Sequence, residues 1–452
     1  MKIFASYKII LFLSMVILFN GCKPDFKPAT VNTGFANLNY CLYMGSDFMS
    51  GYTDGALSSS GQHNSIPYLF NQQLTSVGIN TIYLQHFVAM PGGYGLSFPL
   101  DSPKFLTAFH LGYKTDCMGV NSLFPLNNSI PPNSAALNQE LIFNLPNTQY
   151  SVEAVPFAKV TEYNDNSIGI TFGKNPYYPC IASFQSQSTM LSDAVAQPFT
   201  FFMLWAGMED VFLYALRGGE IDSLTDFAAF DAAFDIVLNG LNATTQGGTH
   251  GVVATIPDFD VFPFFTYIPW NGLVLTQAEA DALNNFLPIH FNFVAGPNGF
   301  VIDDSNAPSG FRKMTADDYI LLTVPTDSLK CNGIGSIHPV PSHYILDYNE
   351  IAKINTAIQH FNAKIQSAAK ALNIPIVDMN SFFRNIKSGY FYDGIKFSSN
   401  FITGNFYSLD GFHPTGQGYG LLTNEFIKTI NSYYHSTIPL VDITKLPAVI
   451  FP

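Results

Sequence analysis

The sequence predicts an α/β fold: three layers, α/β/α, built on a mostly parallel sheet and interrupted by long insertions. Three observations carry this expectation. Several short apolar runs stop abruptly at turn residues, as strands buried on both faces do. Amphipathic helical stripes stand between those runs. No Pro- or Gly-rich linker and no shift in composition cuts the chain after residue 37, so one domain is expected over 38–440.

The elements follow in order. Residues 39–44 (NYCLYM) form an apolar, aromatic run suited to a buried strand, ending at Gly45-Ser46-Asp47. In 67–74 (PYLFNQQL), Leu69, Phe70 and Leu74 recur at helical spacing behind a proline suited to a helix start. Four more strands are expected at 199–204 (FTFFML), 252–256 (VVATI), 319–324 (YILLTV) and 374–377 (IPIV). The clearest helix opens at Asp347, with Glu350 completing a capping box and an apolar stripe through Ile351, Ile354, Ile358, Phe361, Ile365 and Leu372. A last helix is expected over 417–433. In parallel sheets the ligand crevice lies beyond the carboxyl ends of the strands, so the turns at Gly45, Gly207 and Pro257 should gather there.

Charged residues make up only 12% of the 452, and the net charge is -13 without a basic run. Nucleic acid is therefore not an expected partner, because phosphate binding needs clustered Lys and Arg. Neither CxxC nor HExxH occurs, so no motif-type zinc site is present, and no cofactor or metal is expected. Lys2 and Lys8 flank the start of an apolar run over 9–19 that is too short to span a bilayer, and Gly21-Cys22 follows. This reads as a signal peptide over 1–21, with Cys22 the lipidated first residue of an exported lipoprotein. Residues 22–37 then form a membrane tether and 441–452 a C-terminal tail. The expected location is the bacterial outer membrane, on its periplasmic or exterior side. Four further cysteines (Cys41, Cys117, Cys180 and Cys331) can pair in such a compartment, in a connectivity that spacing does not give.

The turn after the first strand stands as Gly45-Ser46-Asp47-Phe48-Met49-Ser50-Gly51-Tyr52, followed by Asp54-Gly55 and Gly61-Gln62-His63-Asn64-Ser65. Further on come Trp205-Ala206-Gly207-Met208-Glu209-Asp210, then Asp410-Gly411-Phe412-His413-Pro414 and Gly418-Tyr419. In this order the blocks resemble those of the SGNH hydrolases, or GDSL esterases, and within them a lipoprotein-type subgroup of Bacteroidetes-like bacteria. The resemblance covers nearly all of the chain after Cys22. It implies a flavodoxin-like sheet and ester hydrolysis of lipids or acylated carbohydrates. It also implies a disulfide between Cys117 and Cys331, whose flanking segments look like paired positions of the subgroup.

The family's mechanism needs a serine nucleophile, a histidine base, an aspartate that orients it, and oxyanion donors from a glycine N–H and an asparagine. His413 and Asp410 match the base and its orienter. The nucleophile position holds Asp47 and the asparagine position Glu209, with Gly93 (or Gly92 or Gly95) a candidate for the glycine. With a neutral His413, the ionised Asp47, Glu209 and Asp410 give a charge near -3, which opposes an oxyanion. Three readings stay open. The first is a non-catalytic protein that keeps a cleft for an ester or carbohydrate-type ligand. The second is an active esterase using Ser46. The third is a retuned acidic site, with Asp47 as nucleophile or the four side chains around a divalent cation. The aromatic run 262–267 (FPFFTY) suits either core packing or a cleft wall.

Overall fold

The computed structural model describes residues 31–79, 81–96, 104–131, 133–140, 150–169, 175–184, 187–245, 250–286 and 291–452. The expected signal segment and Cys22 lie outside the described residues. From Thr33 to Pro452 the described residues belong to one compact unit. Among them, no helix is long and apolar enough to cross a membrane.

Five parallel strands make the central sheet: β1 (Cys41–Gly45), β2 (Val152–Ala154), β3 (Phe201–Trp205), β4 (Gly251–Ala254) and β5 (Ile376–Val377). Their spatial order is β5-β4-β3-β1-β2. This is the flavodoxin-like arrangement, whose chain reverses direction across the sheet between β1 and β3. Apart from Glu153 in the edge strand β2, the strands are apolar, because both faces are covered. Tyr43, Phe201 and Trp205 meet Phe70, Tyr434 and Phe426, which belong to helices α2 (Ile66–Ser76) and α7 (Gly416–Tyr434). The alternate residues point to the opposite layer. There, α4 (Phe227–Thr244) packs on α5 (Tyr348–Ala371), with Phe230 stacked on Phe361 at 3.8 Å. The α5 cap forms as the sequence predicts: Asp347 accepts from the Glu350 amide and Glu350 from the Asp347 amide, both at 2.8 Å.

Two expectations need correction. Residues 319–324 are not a strand of this sheet; Tyr319–Ile320 pairs antiparallel with Ile345–Leu346 outside it. Ile320 and Val324 are buried against Phe300, Ile302, Met314, Val340 and Ile345, a second apolar cluster inside the insertion between β4 and α5. Leu321 instead joins the main core, with Tyr319 and Leu322 packed against it, so the run is apolar because it bridges two cores, which periodicity alone does not distinguish from a central strand. The edge strand β2 is the one strand of the sheet not foreseen, being three residues long with Glu153 at its centre.

An insertion before β2 carries a hairpin, His110–Thr115 paired with Asn121–Leu126. Its turn is joined by the expected disulfide, Cys117 to Cys331, to the helix Thr326–Cys331. Ion pairs Lys114–Asp327 (2.8 Å) and Lys330–Asp116 (2.9 Å) flank the bond. Cys41 and Cys180 are free and buried. Replacing Cys117 and Cys331 by serine is expected to lower unfolding free energy by about 2–5 kcal/mol. Urea unfolding of the oxidised protein and the double variant checks this, and equal midpoints would contradict it.

Candidate functional site

The site forms where β1 and β3 end side by side. Gly45 closes β1 at a position where a Cβ would lie 2.6 Å from the Trp205 carbonyl oxygen, so only glycine lets the two ends approach. Ser46 then occupies the N-cap position and Asp47 the first turn of α1 (Asp47–Ser50), which Gly51 ends at φ +83°. From the other end of the chain, the 408–414 loop delivers a histidine. Ser408 donates its amide to the His413 carbonyl at 2.8 Å, and Gly411 turns the loop at φ +72°. This closes a tight loop that sets Asp410 beneath the His413 ring.

His413 lies between two carboxylates. Its Nδ1 is 2.8 Å from Asp410 Oδ2 and its Nε2 is 3.0 Å from Asp47 Oδ2. Asp410 also accepts from the amides of Gly55 (2.7 Å), Phe412 (2.9 Å) and His413 (2.8 Å), and from the Ser408 hydroxyl. Tyr52, Phe48 and Phe412 enclose the imidazole with ring centroids 4.7, 5.4 and 5.1 Å away.

The other oxygen of Asp47 accepts the Phe157 amide at 2.7 Å. Phe157 lies just past β2 at φ +65°, a conformation that favours glycine. It is held there from both sides: Asn175 donates to the Pro156 carbonyl at 2.9 Å, and Asp210 accepts the Val160 amide at 2.8 Å. Phe157 therefore supplies the inward N–H that the sequence reading sought at Gly93. Gly93 lies elsewhere, with its amide bonded to the Met90 carbonyl. A backbone donor on a non-glycine residue leaves no mark in the sequence, although its braces, Asn175 and Asp210, stand in the segments 175–178 and 205–210.

Burial and charge set the protonation states. Burial alone lowers the pKa of His413, but Asp410 and Asp47 outweigh it and hold the imidazole at about 9, so it is an imidazolium at neutral pH. Burial pushes Asp410 up, but the charge and hydrogen bonds of His413 bring it below the usual range. Asp47 follows the same balance, with help from Glu209 and the Phe157 amide. Glu209 behaves oppositely. Burial first, then the adjacent Asp47 charge, raise it well above its ordinary value, so it is a neutral acid. The charge near -3 expected from the sequence is thus corrected: two carboxylates, one imidazolium and one neutral acid leave a single negative charge. Glu209 also keeps a proton to donate, as the asparagine of its position would.

Ser46 is buried at 1% exposure, and its Oγ has no well-aligned hydrogen-bond partner. His413 is turned to Asp47 and not to this hydroxyl. The metal reading meets the same obstacle, because both His413 nitrogens carry hydrogens engaged by carboxylates. Among the described residues, no three His, Cys, Asp or Glu side chains converge as a metal site.

Above the pair opens an apolar cleft of about 240 Å³. His413, Asp410 and Phe157 form its floor, and Phe124, Phe264, Tyr267 and Phe401 stand among its walls. The aromatic run 262–267 therefore serves both roles expected of it: Phe262 and Phe265 are core, whereas Phe264 and Tyr267 line the cleft. Asp47 itself lies behind His413 and Phe157, at 1% exposure.

A parallel sheet of this order, with an aspartate–histidine pair brought to its reversal point, defines a hydrolase-type α/β domain. The chain belongs to the GDSL-like lipase/acylhydrolase family, whose family model matches residues 179–426. Solved structures similar to it include an alpha/beta hydrolase enzyme from the metagenome of Lake Arreo, Spain, at 9% identity and TM-score 0.38, over 89% of this chain and 99% of that one. Another is a variant of an acetyl xylan esterase from Geobacillus stearothermophilus, at 8% identity and TM-score 0.37, over 88% and 96% of the two chains. Comparison with curated proteins gives no match.

Proposed function

We propose that this chain is a lipid-anchored, exported member of the family, tethered through Cys22 to the outer membrane, whose site binds an ester or acylated-carbohydrate ligand without hydrolysing it. The observation that carries this reading is the double ion pair of His413. A base must hold a lone pair to take a proton from a nucleophile, and here both nitrogens are already donors to carboxylates. Asp47, a carboxylate held by His413 and the Phe157 amide, stands where the attacking hydroxyl is needed. Attack by Ser46 lacks support, since that hydroxyl is buried and His413 is committed elsewhere. The apolar cleft, with its aromatic walls and the Asp410–His413 floor, remains as the binding surface.

The test is hydrolysis of short-acyl p-nitrophenyl esters by the soluble chain beginning after Cys22, compared with His413→Ala. No turnover by either protein is expected. Turnover that disappears in His413→Ala would overturn the proposal and return the altered site to enzymes.

A further inference from the structure

A second cavity lies behind the wall that Phe109 and Leu409 form against the cleft, and both residues line both spaces. Its volume is about 390 Å³. Asp54 lines it together with Ser60, Asn64, Tyr419 and Ile450. Two bonds fix the Asp54 backbone, its amide donating to the Ser408 hydroxyl (3.0 Å) and its carbonyl accepting from Phe109 (2.7 Å), with the chain turned at φ +52°, and a third holds the side chain, the Leu409 amide donating to Oδ1 at 2.9 Å. The second carboxylate oxygen, Oδ2, has no hydrogen-bond partner among the described residues, and no lysine or arginine lines the cavity. Burial, reinforced by the nearby Asp410 charge, holds the Asp54 carboxyl at about 7, as befits an acid short of a counter-ion.

We propose that this cavity is a binding site for small organic ammonium ions, with Asp54 Oδ2 as the anionic contact and the rings of Phe109 and Tyr419 as walls for the alkyl groups. A cation there meets a carboxylate whose second oxygen no described group occupies, so the pair gains Coulomb attraction at short range. The aromatic faces add attraction for a charge spread over methyl groups. The site is distinct from the cleft, so it stands or falls independently of whether His413 supports turnover.

Calorimetric titration of the full chain with choline chloride tests it, with 3,3-dimethyl-1-butanol as the neutral isostere. Saturable choline binding is expected, with no binding of the neutral alcohol. Asp54→Asn keeps an acceptor for the Leu409 amide but removes the charge, and should weaken choline more than about tenfold. Ala448→Trp places a bulky ring in the cavity lining and should also block binding, which covers the case in which Asp54→Asn fails to fold. Absence of saturable binding, equal binding of the alcohol, or choline affinity unchanged in either folded variant would overturn the proposal.

Discussion

Replacing Asp47 by serine and Glu209 by asparagine in one protein is expected to create ester hydrolysis well above that of the parent chain. Removing the Asp47 carboxylate takes away one of the two charges that keep His413 protonated, so its pKa falls toward the neutral range and Nε2 gains a lone pair. The new hydroxyl sits on the residue whose carboxylate oxygen now stands 3.0 Å from that nitrogen. The Phe157 amide, released from Asp47, becomes a donor for a developing oxyanion, and Asp47→Ser leaves its strained backbone and braces untouched. Glu209→Asn restores a donor that needs no buried proton. One oxyanion donor contributes about 10²–10³ in turnover, and a missing nucleophile or base costs far more. A gain of at least about 10³ over the parent is therefore the expected scale. The gain should vanish when His413→Ala is added. A parent chain as active as the double variant would show that Asp47 itself carries the chemistry.

The second large effect is on stability as pH rises. His413 has its folded pKa raised to about 9, above the ordinary unfolded value of about 6.5. The stabilisation it brings is thus complete below about pH 6.5 and is lost as pH climbs through 9. The shift corresponds to a change on the order of 3 kcal/mol. Asp47 and Asp410, with lowered values, contribute the opposite way: their stabilisation is present above about pH 4 and lost in acid. Asp54 and Glu350, both held near 7 by burial, also favour the fold at the lower end of the window. Urea unfolding at pH 6 and pH 9 should show a fall in the parent chain. In His413→Gln that fall should shrink by the histidine's share, from a starting point about 3–5 kcal/mol lower, because two buried carboxylates lose their shared cation. Equal falls in both proteins would mean that the imidazolium is not the source.

Much of this was legible in the residues themselves. Gly51-Tyr52 fixes the register of the first turn, so Asp47 is read at the nucleophile position without coordinates, and the structure sets its carboxylate 3.0 Å from His413 Nε2. Asp410 and His413 are three residues apart on one tight loop, and the Asp347 cap announces α5. What was hidden depends on environment. The neutrality of Glu209 and the charge of His413 arise from burial beside Asp47, which no spacing encodes. Phe157 was missed because its role belongs to its amide and to a positive φ that phenylalanine does not advertise. Residues 319–324 read as a central strand because apolar runs look alike whichever core receives them.

The bond between Cys117 and Cys331 spans 214 positions. It closes the middle of the chain into a covalent ring that contains Phe157 and Glu209, while Asp47 and His413 lie on the two arms outside it. A protease cut anywhere within that ring leaves the molecule in one covalent piece, with all four site residues still joined. A cut in either arm can detach Asp47 or His413 from the rest. The surface loops within the ring, which include the hairpin's second strand but not its first, can therefore be nicked without separating the parts of the site, so long as the bond stays oxidised.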